Sequence, residues 1–316
     1  MTAIVESIEA VTGVHVLNVD INKSANRSVV TFAGPPESVL QSAFNMIEVA
    51  AQHIDMQAHQ GEHPRIGATD VCPLVPLSNV SMAECIELSK QLAAAVGSQL
   101  QIPVYLYERS ASSKERERLP FIRRGQYEGL AHRIQHEGLM PDYGPSEFQP
   151  HTGATVIGAR NLLIGFNISL DLPSRVLAAK IASAIREPAF QSCRAIGWYI
   201  TEYGCAQVST NLLNYTVTPM HTVYEAICKE AVQLRVKVLG SELIGLVPLE
   251  AILQSGKFYA DKNNVVADTE QQLIEQAING MGLNASVKFI PEEKILDYCI
   301  ERKFGARPQI TYESAS

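Results

Sequence analysis

The sequence has no apolar run of the roughly 18 residues a membrane-spanning helix needs, and residues 1–9 carry two acids without the basic start and long apolar stretch of a secretory leader. It has no excess of positive charge either: 26 Lys and Arg against 33 Asp and Glu leave a net charge of −7 and a pI near 5.7. That balance excludes a surface built to hold duplex nucleic acid or anionic lipid, while leaving room for a local basic pocket. None of the six cysteines forms a CxxC pair. Widely spaced and mostly in apolar periodic segments, they read as reduced, buried thiols rather than disulfides or a zinc site. Neither GxGxxG nor GxxxxGK[ST] occurs, which removes the dinucleotide and P-loop readings. Low-complexity tracts and long Pro/Gly/Ser linkers are lacking too, so any domains are packed closely together. The expectation is a soluble, cytoplasmic protein with no membrane or nucleic-acid partner.

What is there has a normal globular balance. The 316 residues are 46% apolar and 19% charged, with a mean hydropathy of +0.02, enough for two domains with ordinary cores. In the second half, residues 161–170 read as a strand and 174–187 as a helix, with Leu177, Ile181 and Ile185 at helical spacing. Two β-rich runs, 193–199 and 206–217, a helix over 221–235 and a short strand at 236–239 complete the order βαββαβ. That is the split βαβ unit, whose two helices cover one face of an antiparallel sheet and leave the other face free. Further helices are predicted over 248–260, 269–280 with a Thr269-x-x-Gln272 capping box, and 292–303. The first half reads as a helix over 3–11, strands at 15–20 and 28–34, a helix over 37–56 and a strand near 69–77. This αββαβ order is the same unit without its first strand. A helix over 82–96, opened by Ser81-x-x-Glu84 and closed by Gly97, and a strand at 103–107 follow. The expected fold is therefore α+β, with two α/β subdomains, residues 1–157 (first strand missing) and 158–316, built on split βαβ (ferredoxin-like) sheets.

The densest polar cluster spans residues 59–70 (HQGEHPRIGATD), at the end of a long helix. A solvated helix exit is the plain reading, but Gly61 and Gly67 permit close backbone approach, Pro64 stiffens the chain, and an imidazole suits proton transfer near neutral pH. His59 and His63 stand four apart as in HExxH zinc sites, yet Glu62 occupies the wrong slot and Gly61 and Pro64 interrupt the helix, so no metal is expected. A second loop, residues 141–154 (PDYGPSEFQPHTGA), holds three Pro and two Gly with Tyr143, Phe148 and His151. It reads either as a rigid interdomain connector or as a wall for a flat aromatic ligand. Residues 109–133 carry many Arg among Glu and read mostly as a solvated face, from which some Arg could bind carboxylates. Ser209-Thr210-Asn211 reads as a polar row on a strand, its amide within reach of a ligand.

The run 59–76 (HQGEHPRIGATDVCPLVP) resembles the glutamate formimidoyltransferase, or formiminotransferase, family. The resemblance continues through Asp20, Asn26-Arg27, TFAGPP at 31–36, PVYLY at 103–107, residues 141–153, Gly158-Ala159-Arg160, Phe166-Asn167, Gly197-Trp198-Tyr199, QVSTNLL at 207–213, HTVYE at 221–225 and residues 245–249, nearly the whole chain. The length resembles the stand-alone enzyme, or the transferase portion of the bifunctional vertebrate protein. The family's pattern places a strand and a segment like Val-Pro-Asn-Phe-Ser-Glu-Gly ahead of the first helix, and this chain starts in that helix. What the resemblance implies is transfer of the formimino group from N-formimino-L-glutamate to N5 of tetrahydrofolate, a cosubstrate held in a groove between the facing subdomains, with no metal. It implies His63 as general acid/base, with Asp20 as its orienting acid. The folate site is implied at Gly144, Pro145, Ser146, Glu147, Phe148, Gln149, Pro150, His151, Thr152 and Gly153. Arg65 is expected to meet the substrate carboxylates, and a homodimer is the expected assembly. Formyl transfer from N-formylglutamate or a formylfolate, and a non-catalytic folate-binding paralogue, are the alternatives that the sequence leaves open.

Overall fold

Apolar spacing dictates the first layer. In the computed structural model, which describes residues 1–23, 25–136 and 138–310, helix α1 (Thr2–Glu9) buries Ile4 and Ile8, one helical turn apart. They pack on Ala50 of α2 (Pro36–His53). Between these helices β1 (His15–Asn22) and β2 (Arg27–Ala33) form an antiparallel hairpin, with Asn22 opposite Arg27. After β3 (Val71–Leu74), helix α3 (Met82–Gln99) opens with the expected capping box: the Glu84 amide donates to Ser81 Oγ at 3.2 Å, and the Ser81 amide donates to the Glu84 carboxylate at 2.8 Å. Ser81→Ala should therefore cost about 1 kcal/mol of stability, read as a lower thermal midpoint. The helix does not stop at Gly97 as expected but runs on to Gln99, with the chain at Gly144 crossing it where the glycine leaves space.

The three-stranded sheet of the first half departs from expectation. Strand β3 does not join the hairpin: it pairs in parallel with β5 (Thr155–Ala159), which also pairs in parallel with β4 (Val104–Glu108). The first half thus holds a two-stranded hairpin and a separate parallel sheet instead of one split antiparallel sheet. Among the described residues, no strand pairs with the second edge of β2 or of β3. The short helices α4 (Leu119–Ile122) and α5 (Gln126–Arg133) cover Tyr105, Tyr107 and Val156 of the parallel sheet.

In the second half the strands and helices come in the expected order along the chain. Strands β6 (Ile164–Leu170), β7 (Cys193–Ile200), β8 (Cys205–Leu212) and β9 (Val238–Ile244) form one antiparallel sheet in the order β7-β8-β6-β9, with α6 (Arg175–Ala184) and α7 (Met220–Gln233) as the two intervening helices. Alternation along the strands puts Ile164, Phe166, Ile168, Ala206 and Val208 into the main core beneath the helices. It leaves Asn167, Ser169, Trp198, Gln207 and Glu242 on the opposite, polar face. That face meets the first half, where Trp198 and Ile200 pack on Ala25 of the β1–β2 turn and Arg194 lies 3.4 Å from Glu108. Helices α8 (Leu249–Asn263) and α9 (Glu270–Met281) follow, the latter with its Thr269–Gln272 box in place.

The predicted last helix is two. Helices α10 (Pro291–Lys294) and α11 (Leu296–Phe304) are separated by Ile295, whose extended backbone forms a bridge with Val247. The chain end then laps back onto the hairpin through Leu296, Cys299 and Ile300, packed with Leu17 and Ala33. None of the six cysteines is in a disulfide; five are buried and Cys228 is half-buried. Among the described residues no helix is long and apolar enough to cross a membrane.

Candidate functional site

Where the β1–β2 hairpin meets the polar face of the second sheet lies a cavity of about 200 Å³. Its walls come from both halves: Asp20, Asn22, Arg27 and Val29 of the hairpin region, His63, then Asn167, Trp198, Glu242 and Leu243 of the sheet, closed by Leu283, Phe289 and Lys294. His63 reaches it because its loop is pinched at both ends. A Cβ on Gly61 would stand 2.3 Å from the Ala25 carbonyl, and one on Gly67 would stand 2.1 Å from the Ala154 carbonyl. Only glycine lets the loop lie this close to the hairpin turn and to the segment after residue 152.

The imidazole of His63 is held by two partners. Nδ1 lies 2.8 Å from the Pro64 carbonyl, an acceptor only, so Nδ1 carries the proton and Nε2 is the acceptor. Nε2 takes a hydrogen bond from the Arg27 guanidinium. The Trp198 ring stands edge-on, 6.4 Å away between centroids. Burial, then the Arg27 and Arg123 charges, push the His63 pKa down to about 3, so the ring is neutral at physiological pH. Arg123 is paired with the Asp70 carboxylate, which also accepts the Ile66 amide at 3.0 Å. Arg27 itself is pushed down to about 10, by burial first and by Arg123 second, and remains cationic.

The other expected site residues do not take their expected places. Asp20 lines the same cavity but does not orient His63; it accepts the Gly245 amide and binds Lys294 Nζ at 2.9 Å, tying β1 to α10. Arg65 faces away from the cavity. Its guanidinium is buried in a bidentate pair with Glu128 at 2.6 and 2.9 Å, donates to the His59 carbonyl at 3.0 Å and lies over Tyr127. A guanidinium so engaged has no free edge for a substrate carboxylate.

The stretch from Gly144 to Gly153 (Gly144, Pro145, Ser146, Glu147, Phe148, Gln149, Pro150, His151, Thr152, Gly153) does not line the His63 cavity. It packs on the other side of the His63 loop. The Met56 amide donates to the His151 carbonyl and the Ala68 amide to the Thr152 carbonyl, both at 2.9 Å, while Phe148 meets Tyr127 at 5.4 Å. Of the Arg-rich stretch, Arg116 is not solvated: it is buried and donates to Asp142 at 2.8 Å and to the Met140 carbonyl at 2.6 Å.

Arg27, Asp70, Arg123, Trp198, Glu242 and Lys294 received no role from the sequence. One signal was readable. Glu242 is the one charged residue of the segment 238–244 (VLGSELI), as expected for a polar group on a strand's second face. In the structure, Glu242 takes hydrogen bonds from Gln207 at 2.9 Å and Tyr203 at 3.3 Å. Beside it Nε1 of Trp198, a residue of the cavity wall, has no hydrogen-bond partner among the described residues, and behind the wall neither has Oε1 of the fully buried Gln207. A buried donor left unpaired at a cavity wall is costly unless a ligand satisfies it. Arranged this way, the site combines a neutral imidazole acceptor, a cation and open polar positions.

Two family models cover the chain: the N-terminal subdomain of the formiminotransferase domain matches residues 1–160, and a second formiminotransferase domain model matches residues 165–301. A glutamate formimidoyltransferase from Streptococcus pyogenes serotype M1 is 38% identical over 279 residues, covering 88% of this chain and 93% of that protein. Another, from Thermoplasma acidophilum, is 39% identical over 82% of this chain and 86% of its own length. The formimidoyltransferase-cyclodeaminase of Rattus norvegicus is 43% identical over 94% of this chain, of which the chain spans about half, 56%. With both halves matched by their own model and the cavity built where those halves meet, the chain belongs to the formiminotransferase family.

Proposed function

We propose that the chain transfers the formimino group of N-formimino-L-glutamate to N5 of tetrahydrofolate, giving 5-formiminotetrahydrofolate and L-glutamate, with His63 moving the protons. The observation that carries this reading is a neutral His63 whose Nε2 faces a cavity walled by both halves of a formiminotransferase-family chain. Attack of an amine on an amidine carbon needs a proton taken from the attacking nitrogen and one returned to the departing nitrogen. One imidazole, its tautomer set by the Pro64 carbonyl, can serve both steps. Trp198 Nε1 offers a donor that an acceptor on the ligand would pair. A pocket for a whole drug-sized ligand has about 300–1,000 Å³. The cavity, at about 200 Å³, thus suits the reacting ends of two substrates rather than their full length. Holding those ends together supplies much of the acceleration.

The rest of the folate would extend toward residues 144–153, which share the His63 loop as their support. In this reading the chain is two subdomains meeting near residue 158, the second of split βαβ type, acting as a cytoplasmic homodimer. The antiparallel order β7-β8-β6-β9 supports that assignment for the second half. Release of L-glutamate should require both formiminoglutamate and tetrahydrofolate, and N-formylglutamate should be a poor donor. Absence of glutamate release with both substrates saturating would sink the reading.

A further inference from the structure

The Arg27–His63 hydrogen bond occupies at once the nitrogen that should act on substrate and a cation with no carboxylate of its own. The other cations near His63 are neutralised: Lys294 by Asp20, and Arg123 by Asp70. Among the described residues no acid lies within ion-pair distance of Arg27, and Lys288 is exposed at the rim. Resting on the function proposed above, we infer that Arg27 is the carboxylate anchor of the site: it takes a carboxylate of the amino-acid donor and in doing so releases His63 Nε2, so that the base is uncapped only when the donor is bound.

A guanidinium presents parallel N–H groups that fit a carboxylate bidentately, and a charged acceptor binds it more strongly than a neutral imidazole does. Arg27 can make that exchange without moving the backbone. Its Cα is fixed opposite Asn22 in the hairpin, while the long side chain reaches the cavity. An incoming carboxylate would also relieve the repulsion between Arg27 and Arg123, which lowers the Arg27 pKa. For His63 the consequence has a definite sign. Burial is the first cause of its low pKa and the Arg27 charge the second, so a carboxylate on Arg27 makes the imidazole more basic when the donor is present. The remaining ionisable groups around the cavity, Asp20 with Lys294, Glu242 with Tyr203, and Lys288, stay as they are in that exchange.

The test uses Arg27→Met and Arg27→Lys in the full chain. Donor titrations run at saturating tetrahydrofolate, and L-glutamate binding without folate is followed by calorimetry. Arg27→Met should raise KM for N-formimino-L-glutamate about 10- to 100-fold, as expected for loss of a charge-assisted pair, with a smaller change in kcat. The acid limb of kcat/KM should move to higher pH, because His63 loses a neighbouring cation, and Arg27→Lys should recover part of the KM. Of two donors with the α- or the γ-carboxylate masked as an amide, one should be handled equally by wild type and Arg27→Met. An unchanged KM with an unmoved acid limb overturns the inference and leaves the proposed reaction standing, as do two amides that each lose the same factor in wild type and variant. If wild type turns over nothing, the proposed reaction falls and calorimetry decides on Arg27: glutamate binding lost only in Arg27→Met upholds the anchor. Equal binding in both, or none in wild type, overturns it. Should Arg27→Met fail to fold, Arg27→Lys carries the KM, masked-donor and glutamate-binding comparisons, since it loses the bidentate fork, while its retained charge should leave the acid limb in place.

Discussion

His63→Gln should lower kcat for formimino transfer by about 10²- to 10⁴-fold, the usual contribution of a positioned acid/base group. The glutamine carbonyl can still accept from Arg27, so the hairpin and the His63 loop should keep their contact while the proton relay is gone. His63→Ala should lose as much activity and release Arg27 as well. A second readout follows from acidity. The folded-state pKa of His63 is about 3 against an ordinary 6.5, because burial and two guanidinium groups disfavour the imidazolium. Between these two values the unfolded chain binds a proton at this position that the native chain refuses, so native stability falls as pH falls through that window. The glutamine variant has no such group. Wild type should therefore lose stability relative to His63→Gln from about pH 6.5 downward, and urea midpoints at several pH values measure the difference. Identical pH dependence in the two proteins would mean that His63 is solvated and titrates normally.

Local rules carried the sequence reading a long way and then stopped at predictable places. Capping boxes at Ser81 and Thr269 are local, four-residue chemistry, and both formed. The second sheet is regular because Ile164, Phe166 and Ile168 alternate cleanly with Gly165 and Asn167. Pairing partners are another matter. Residues 71–74 read as a strand, but nothing in their periodicity says whether they pair with the hairpin or with residues 156–159, since that choice is made by tertiary contacts. The break at Ile295 carries no glycine or internal proline signal; it comes from the bridge to Val247. His63 was legible from its loop composition. The neighbour two residues on was misread, because sequence adjacency does not set side-chain direction: His63 turns to the cavity and Arg65 turns to Glu128. Asp20 was drawn to His63 by the resemblance, whereas the structure gives it to Lys294, 274 residues along the chain. Arg27 lies 36 residues before its histidine, beyond any local rule.

Arg116→Met should destabilise the protein by about 3–5 kcal/mol, the range for breaking a buried ion pair by removing one partner. The alternating charges of residues 109–133 suggested solvent exposure, but Arg116 and Asp142 have side chains only 8% and 11% exposed. The guanidinium holds more than the carboxylate: it donates to the carbonyls of Gly138 at 3.1 Å and Met140 at 2.6 Å, and stacks 5.5 Å from the Tyr105 ring centre. Asp142 in turn accepts the Leu106 amide at 2.7 Å, fixing the segment to β4. Methionine matches the apolar stem and satisfies none of the acceptors, leaving the Asp142 carboxylate, only 11% exposed, without its cation. Lysine should rescue little, because one ammonium cannot span the three directions that the planar fork covers. A double variant, Arg116→Met with Asp142→Leu, separates two explanations. If the cost were only the unpaired charge, removing the partner would restore stability, as apolar replacement of buried pairs often does. Here the amide of the buried Leu106 loses its acceptor as well, so the double variant should remain about 1 kcal/mol or more below wild type in urea unfolding, one buried donor having lost its partner. On the proposed placement of the folate along residues 144–153, just after Asp142, the same variants should weaken tetrahydrofolate binding more than donor binding. A double variant as stable as wild type would show that the pair serves charge alone.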